Sequence, residues 1–537
     1  MTTGGRQFLR KSCSGILIAG SLFAGSLLAG DAGPRIETIS VDSQSVVLST
    51  VGVSAEINLV EIAPYEGRVR LSEQRIGREG KTEGETVRLK RFERGRDRLY
   101  SGWQLVAAQG EEAVGPVRYA DDLSKLSTRT DRFPKPTSIK GVQCIVGVED
   151  ALRLGIKQGA HNVLLSEVID LSGQSSTEIW EVDGKRIPIR SDYIRHLDEV
   201  VSQLTRGGVN LSLILLNSVP TEPQPENPLI HPRTNLKEAP NHLGGFNLTS
   251  EAGYLHYRGA IEYLAQRYSK PDGEFGRVTG YIVGNELQAH WWWYNIGEAS
   301  PEEVIADYAR ALRVAHYAIR KAHPELRAYV SMDHHWTGAM SQNEKRFIPG
   351  KKFLDGFNEK VRNEGNIEWH VAFHPYPENL FNPRTWEDKE PTLSFETPKI
   401  TFKNLEVLPA YVRKEEFLFE GRPRRIILSE QGFHTPEGPD GEKIQAAAYA
   451  YAFARTARME GIDAFILHRH IDHQHEGGLR LGIRARKEGT VTDPGAKKYL
   501  YEVFQKGDEK DWEGAFEFAK PILGIENWEE VGPRPIP

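Results

Sequence analysis

The chain has 537 residues, and its 68 basic and 74 acidic side chains leave a formal net charge of −6. This length predicts one large domain and a smaller one. Because the charges nearly balance, we do not expect a surface that binds nucleic acid. Of the two cysteines, Cys13 lies in the N-terminal leader described below and Cys144 stands alone, so a disulfide framework and a thiolate metal site are also excluded.

Residues 1–32 predict a secretory signal peptide. Basic side chains open the segment, and residues 15–29 form an apolar run that is short for a membrane span. Cleavage is expected between Ala29 and Gly33, and a retained amphipathic anchor is the alternative. We therefore expect export to the periplasm or the extracellular space, with no stable membrane association after processing.

Residues 33–135 predict a small antiparallel β domain. Apolar and polar side chains alternate in three stretches, 36–41, 45–50 and 86–92. A period of two is typical of half-buried strands. Carbohydrate binding by this region has support only from Tyr100 and Trp103, so its role stays open. Prolines at its end indicate a linker to the next domain.

Over residues 136–537, strand-like and helix-like segments alternate eight times. The predicted strands are 142–147, 163–169, 211–219, 278–286, 327–332, 367–373, 424–430 and 464–467. The predicted helices are 150–159, 191–206, 254–268, 301–322, 353–363, 405–417, 446–459 and 496–504. Such a series predicts the α/β class and a closed (β/α)₈ TIM barrel, with the active site at the carboxyl ends of its strands.

A proline-rich polar loop, residues 220–247, follows the third predicted strand. Loops of this length inside a compact domain are more often functional than idle. We therefore expect this loop to overhang the active site.

Two glutamates end predicted barrel strands. Glu286 closes the stretch VTGYIVGNE on strand four, and Glu430 closes RRIILSE on strand seven. A carboxyl group at a buried strand end is partly desolvated, which raises its pKa toward the range needed for proton donation. Two such groups in one barrel predict hydrolysis of a glycosidic bond. The alternative for either residue is a salt-bridged strand end.

These motifs resemble those of the clan A retaining glycoside hydrolases, in which an Asn-Glu pair ends strand four and a glutamate ends strand seven. The matching residues are Asn285, Glu286 and Glu430, and the resemblance covers residues 138–505. The chain is also similar to an uncharacterised bacterial domain family near that clan. The resemblance implies double displacement on a poly- or oligosaccharide, with Glu430 as nucleophile, Glu286 as acid/base and Asn285 as a donor to the sugar 2-hydroxyl.

Other strand ends supply candidate substrate-binding residues. After strand six, the resemblance implies that His374 or, preferably, Tyr376 orients Glu430. The further candidates for contact with sugar hydroxyls or ring faces are His334 and Trp336 after strand five, and Trp291 and Trp292 after strand four. At least one tryptophan of the run 291–293 is expected in the core, because three consecutive side chains cannot all face one cleft.

Strand eight departs from the clan pattern, in which a tryptophan often forms the floor of the site. This chain has His468, Arg469 and His470 there. With the arginines at positions 480, 484 and 486, they favour the hypothesis of an acidic or sulfated saccharide, since guanidinium groups pair bidentately with sulfate or carboxylate. The alternative is a solvated loop with a network of salt bridges.

Two other functions stay open at this point. A metal-dependent barrel hydrolase would use the histidines of residues 468–475, although no HExxH helix occurs and barrel metal sites usually draw ligands from several strands. A non-catalytic saccharide-binding barrel would bind its ligand without turnover. The principal prediction is a retaining glycosidase that acts on a carbohydrate and uses no metal and no cofactor.

Overall fold

The computed structural model describes residues 33–54, 57–66, 75–76, 81–83, 86–107, 112–173, 177–508 and 512–536. The predicted signal peptide, residues 1–32, lies outside these residues. Within the described ranges, none of the helices combines the length and the apolar character that crossing a bilayer requires.

Eight parallel strands form a closed barrel in chain order. They are β1 (Lys140–Gln143), β2 (Gln158–Leu164), β3 (Asn210–Leu216), β4 (Val278–Val283), β5 (Arg327–Asp333), β6 (Trp369–His374), β7 (Ile426–Gln431) and β8 (Ile462–Leu467). Strand β1 pairs with both β2 and β8, which closes the ring. Most strands are nearly continuous apolar runs, because helices cover the outside of the barrel and side chains fill its interior. The predicted (β/α)₈ barrel is confirmed.

Helices lie outside the ring. Those that follow the strands are α1 (Val148–Arg153), α2 (Ser191–Arg206), α3 (Glu251–Arg267), α4 (Pro301–Ala322), α5 (Gly350–Asn363), α6 (Val407–Tyr411), α7 (Gly441–Thr456) and α8 (Tyr499–Lys506). Shorter helices span Leu165–Val168, His290–Trp293, Trp512–Phe516 and Lys520–Leu523. The predicted start of α4 is explained by a capping box, in which the Ser300 hydroxyl and the Glu303 carboxylate accept each other's backbone N–H.

The barrel interior is packed with side chains. One buried cluster brings together Ala160, Ile214, Leu216, Ile282, Tyr329, Ala372, Ile427, Ala464 and Ile466. Leu243, from the long loop after β3, and Trp293, from the short helix after β4, pack on the same cluster. The interior is therefore a core and not a pore, so any substrate must bind at the strand ends.

The first, second and sixth units differ from the prediction. Helix α1 ends at Arg153, and β2 begins at Gln158. The prediction missed this start because the sequence QGAHNVL mixes small and polar residues, which hides the period of a strand. An unpredicted antiparallel hairpin, Thr177–Val182 with Lys185–Arg190, lies between β2 and α2. Helix α6 stops at Tyr411, since Lys414 is extended and separates it from a 3₁₀ turn.

The N-terminal region is antiparallel β structure, as predicted. One sheet contains Arg35–Val41, Ser45–Val51, Thr86–Lys90 and Lys81–Glu83, and another contains Arg75–Ile76, Ile57–Ile62 and Gly102–Ala107. Tyr100 and Trp103 are both buried, which contradicts a carbohydrate-binding role for them. Pro34–Pro537 forms one compact unit, so the domain boundary at residue 135 stays a prediction.

A buried ion cluster ties the N-terminal β region to the barrel helices. The Arg258 guanidinium of α3 lies 2.7 Å from Asp183 of the hairpin and 2.9 Å from Glu262 of its own helix. It also stacks 4.0 Å from the centre of the Tyr100 ring, whose hydroxyl donates to Glu262 at 2.6 Å. Lys321 of α4 pairs with Glu262 at 3.1 Å. Three separate parts of the chain therefore depend on one arginine.

Replacing Arg258 by methionine is expected to lower the free energy of unfolding by about 3–5 kcal/mol, because the substitution removes the most buried cation from the carboxylates of Asp183 and Glu262. Urea denaturation followed by circular dichroism measures the change. The control is Arg233→Gln, which removes a half-exposed ion pair with Glu303 and should cost less than about 1 kcal/mol. Equal losses for the two variants would contradict the importance of the buried cluster.

Candidate active site

Glu286 stands just beyond β4, where the chain turns sharply. Its backbone is left-handed, with φ +37° and ψ +62°, and it follows Gly284, whose φ is +77°. The Ser331 hydroxyl, on the neighbouring strand β5, accepts the Glu286 backbone N–H at 3.0 Å. The Glu286 side chain keeps 12% of its surface exposed.

Glu430 lies within β7, on the other side of the site. The Tyr376 hydroxyl, which follows β6, donates to its Oε1 atom at 3.0 Å. The next residue, Gln431, is buried and donates from its amide to the Ile466 carbonyl of β8 at 2.9 Å. The strand end that carries Glu430 is therefore held by both neighbouring strands.

His374 contacts Glu286 and the residue that precedes Glu430. Its Nδ1 atom lies 2.8 Å from Oε1 of Glu286, and its Nε2 atom lies 3.0 Å from the Ser429 hydroxyl. One side-chain oxygen of Glu286, one of Glu430 and one His374 ring nitrogen all lie within 4.8 Å of each other. The two strand-end carboxyl groups predicted from the sequence thus face the same small space.

The two carboxyl groups have opposite pKa shifts. Burial raises the pKa of Glu286 and outweighs the lowering effect of His374, and the charges of Asp333 and Glu430 add to the upward shift. Burial also acts to raise the pKa of Glu430, but His468, His374 and hydrogen bonds from Gln143 and Tyr376 bring it below the ordinary value. At neutral pH this favours a proton on Glu286 and a negative charge on Glu430.

Three residues beside Glu430 were not singled out from the sequence as part of its surroundings. Gln143 ends β1, and its side-chain amide lies 2.9 Å from Nδ1 of His468. The Cys144 sulfur is 3.8 Å from the same nitrogen. Glu476, from the loop after β8, lies 3.1 Å from Nε2 of His468. The composition of the His-rich segment was the one available signal, and it pointed to the histidine but not to its partners.

The other polar residues after β8 bind the protein itself. His470 is buried between Asp150, at 3.1 Å, and the Val146 backbone N–H, at 3.2 Å, so it is not open to a substrate as predicted. Arg469, in a cis peptide with His468, forms a salt bridge with Glu476. The remaining arginines pair with the chain as well: Arg480 with Glu437, Arg484 with Asp150, and Arg486 with the Thr490 carbonyl. These contacts match the alternative interpretation of the segment, a loop with a network of salt bridges.

Two of the predicted tryptophan platforms are core residues. Trp291 is 4% exposed, with the Arg346 guanidinium 3.8 Å from its ring centre and Phe347 packed beside it. Trp336 is fully buried, and its indole N–H donates to the Phe395 carbonyl at 2.9 Å. Both differences from the prediction have the same cause, because a bulky apolar side chain that follows a strand can pack into the core as readily as it can face the cleft. Trp292 is 36% exposed.

His334 and Asn285 line the region between β4 and β5. His334 is buried with its Nδ1 atom unpaired among the described residues, and burial lowers its pKa to about 3, so the ring is neutral. Asp333, next to it, accepts from the His335 backbone N–H at 2.6 Å and from the Gln288 amide at 2.8 Å. Asn285 is buried, and its side-chain oxygen lies 3.5 Å from the Ser331 hydroxyl.

Potential metal-ligating side chains come together in two places among the described residues. The groups are Asp333, His334 and His335, and Glu286, His374 and Glu430. The histidines of residues 468–475 do not form such a group within that part of the chain. His468 and His470 instead bind different carboxylates, Glu476 and Asp150, so the proposed histidine cluster is not assembled.

A family model described as a family of unknown function, DUF5722, matches residues 132–531. No curated protein matches the chain.

Solved structures that match include a family 39 glycoside hydrolase from Bacteroides cellulosilyticus WH2, with 13% identity over 88% of this chain and 82% of that one, and a TM-score of 0.45. A glucosidase from Croceicoccus marinus has 14% identity over 69% and 68% of the two chains, with a TM-score of 0.42. A family 1 β-glucosidase from Thermotoga maritima has 11% identity over 67% and 84%, with a TM-score of 0.41. The family model agrees with the predicted similarity to an uncharacterised domain family.

Proposed function

The chain belongs to the DUF5722 family, and we propose that it is a retaining glycoside hydrolase. The observation that carries the proposal is the pair of side-chain oxygens of Glu286 and Glu430, which lie within 4.8 Å of each other at the ends of β4 and β7. Retaining enzymes place their carboxyl groups about 5–5.5 Å apart, whereas inverting enzymes leave about 6.5–9.5 Å for a water molecule.

In the proposed reaction, a carboxylate oxygen of Glu430 attacks the anomeric carbon of the sugar. The bond to the leaving oxygen breaks as Glu286 transfers its proton to that oxygen, which leaves a glycosyl ester on Glu430. Glu286, now ionised, then removes a proton from water, and the resulting attack on the anomeric carbon releases Glu430. The opposite pKa shifts of the two groups suit these starting states.

The surrounding residues suggest how a sugar is held. Tyr376 orients the nucleophile, and Asn285 and His334 are the proposed donors to sugar hydroxyls at the β4 and β5 ends. Trp292 and Trp293 supply indole surface at the mouth of the barrel, in place of Trp291 and Trp336. The substrate class is a carbohydrate, and the pairing of the nearby arginines within the protein gives an acidic or sulfated substrate no particular support.

The proposal is tested by assaying the purified protein on a panel of aryl glycosides of both anomeric configurations. We expect turnover of at least one glycoside, a first product that keeps the anomeric configuration in ¹H NMR, and no loss of rate with EDTA. A first product of opposite configuration would contradict the retaining mechanism. Chelator-sensitive turnover would favour a metal-dependent hydrolase, and ligand binding without turnover would favour a saccharide-binding barrel.

The pH dependence of kcat/KM offers a separate check on His374. Its positive charge acts to lower the pKa of both glutamates, so His374→Gln should raise both. Activity requires Glu430 ionised and Glu286 protonated, which means that it is lost at low pH through the first group and at high pH through the second. Both limbs of the profile should therefore move up, by about one pH unit.

The matched control for this experiment is His256→Gln, which changes a histidine of α3 bonded to the Ala252 carbonyl. This variant should keep the wild-type profile. Unchanged limbs in the His374 variant would show that His374 does not act on the charge of either glutamate.

A further inference from the structure

The loop after β8 returns a carboxylate to the active site. His468 follows β8 and is buried, and its two ring nitrogens face different partners. Nδ1 faces the Gln143 amide of β1 at 2.9 Å, while Nε2 faces Oε1 of Glu476 at 3.1 Å. The second oxygen of Glu476 binds Arg469, so the carboxylate is held from two sides.

This arrangement places alternating charges beside the nucleophile. The titratable groups that act on His468 are Glu476 from its own loop, Glu430 from β7 and the Cys144 sulfur that follows β1. The groups that act on Glu430 include His468, His374 and Tyr376. When the imidazole is protonated, the charges of Glu476, His468 and Glu430 are therefore negative, positive and negative, in that spatial order.

We propose that Glu476 is a positioning residue that orients a cationic His468 against Glu430, so that the imidazolium stabilises the nucleophile in its ionised form. This inference rests on the proposed function, because it explains how that site keeps its attacking group charged. It also gives a role to the position where clan A enzymes often have a tryptophan.

The surroundings of His468 can offer a hydrogen-bond acceptor to each nitrogen of the cationic ring. An imidazolium donates from both nitrogens, so each needs an acceptor. Glu476 accepts from Nε2–H. The Gln143 amide faces Nδ1 with its nitrogen, and a half-turn of that amide presents its oxygen to Nδ1–H instead. A neutral imidazole would leave the Glu476 carboxylate facing Glu430 with less positive charge between them.

The pKa values agree with this geometry. Burial lowers the pKa of His468, but Cys144, Glu430 and Glu476 together raise it well above its ordinary value. Burial raises the pKa of Glu476, but His468 and Arg469 bring it down to about 2. Glu476 is therefore negative at every pH at which such an enzyme would work.

The first test is the pH profile of His468→Gln, since glutamine removes the charge that the proposal sets beside Glu430. We expect the acid limb of kcat/KM to move up by about one pH unit, because Glu430 loses a neighbouring positive charge and gains its proton at higher pH. The alkaline limb should stay in place, which separates this variant from His374→Gln. An unchanged acid limb in a folded variant would overturn the proposal.

Glu476 itself is tested by Glu476→Gln, which keeps the shape and an acceptor for His468 but removes the charge, and the matched control is Glu437→Gln. Glu437, on the loop after β7, pairs with Arg480 and is largely exposed, so the control makes the same change of charge without facing His468. We expect the control to keep the wild-type pH profile and the wild-type His468 midpoint. A midpoint shift in the control as large as that of Glu476→Gln would reduce the effect to net charge and overturn the positioning role.

A second readout does not depend on turnover. The His468 ring is titrated by ¹H–¹⁵N NMR in ¹⁵N-histidine-labelled protein, with His468→Gln to assign its signals. The wild-type ring should stay doubly protonated through neutral pH, and Glu476→Gln should lower its midpoint by at least about one unit. Equal midpoints would overturn the inference. Absence of glycoside turnover by the wild type, with the midpoint shifted, would instead count against the proposed function alone.

Discussion

Replacing Glu430 by alanine is expected to lower kcat by at least about 10⁴-fold, because the first covalent step has no other nucleophile at that position. The side chain is held by Tyr376, and the backbone of β7 is paired on both sides, so the strand should keep its place without the carboxylate. Steady-state kinetics on the best glycoside of the panel measures the loss. Thermal denaturation serves to check that the variant is folded.

Azide gives this prediction its specificity. In Glu430→Ala a small anion can enter the space left by the carboxylate and attack the anomeric carbon directly, which forms a glycosyl azide of inverted configuration. We expect azide to restore turnover, with that product in ¹H NMR. A variant that keeps most of its activity, or one whose rescue product has retained configuration, would remove Glu430 from the role of nucleophile.

Replacing Glu286 by alanine should lower kcat/KM by about 10²–10⁴-fold on glycosides with poor leaving groups, because proton transfer in the transition state is lost. A 2,4-dinitrophenyl leaving group needs no proton, so its release should be affected far less. The measurement is therefore a comparison of leaving groups in one variant, and Glu437→Gln serves as the control with wild-type behaviour on both.

The rescue product separates the two glutamates. In Glu286→Ala the glycosyl ester on Glu430 still forms, and azide then displaces it from the opposite face, so the glycosyl azide should have retained configuration. Equal losses on good and poor leaving groups would indicate that Glu286 is not the acid. Together the two variants assign a role to each carboxyl group without knowledge of the natural substrate.

The barrel and its two glutamates were within reach of the sequence because both depend on local patterns. An apolar run that ends in Gly-Asn-Glu indicates the end of a strand. Eight alternating strand and helix segments are compatible with few topologies. The same reasoning misplaced β2, since Gln158, Gly159 and Ala160 are buried by tertiary contacts that no local period records. Helix α6 was overestimated for a similar reason.

The surroundings of the glutamates were harder to predict, because they depend on the directions of side chains. Trp291 and Trp336 have the composition of sugar platforms, but one stacks under Arg346 and the other donates to Phe395. Gln143 and Glu476 meet His468 from positions far apart in the chain. A single sequence carries no record of such pairings, whereas the histidines themselves were conspicuous.

The backbone of Glu286 sets activity against stability. A residue other than glycine in the left-handed region costs about 1–2 kcal/mol, and asparagine or glycine tolerates it better. At φ +37° the glutamate is therefore unfavourable for folding, and the proposed acid/base role gives a reason for its presence. Random drift or selection for heat resistance would tend to replace it. Under the proposed role, a relative with glycine at this position should therefore be more stable and lack the general acid. The residue at this turn would thus distinguish active members of the family from inactive ones.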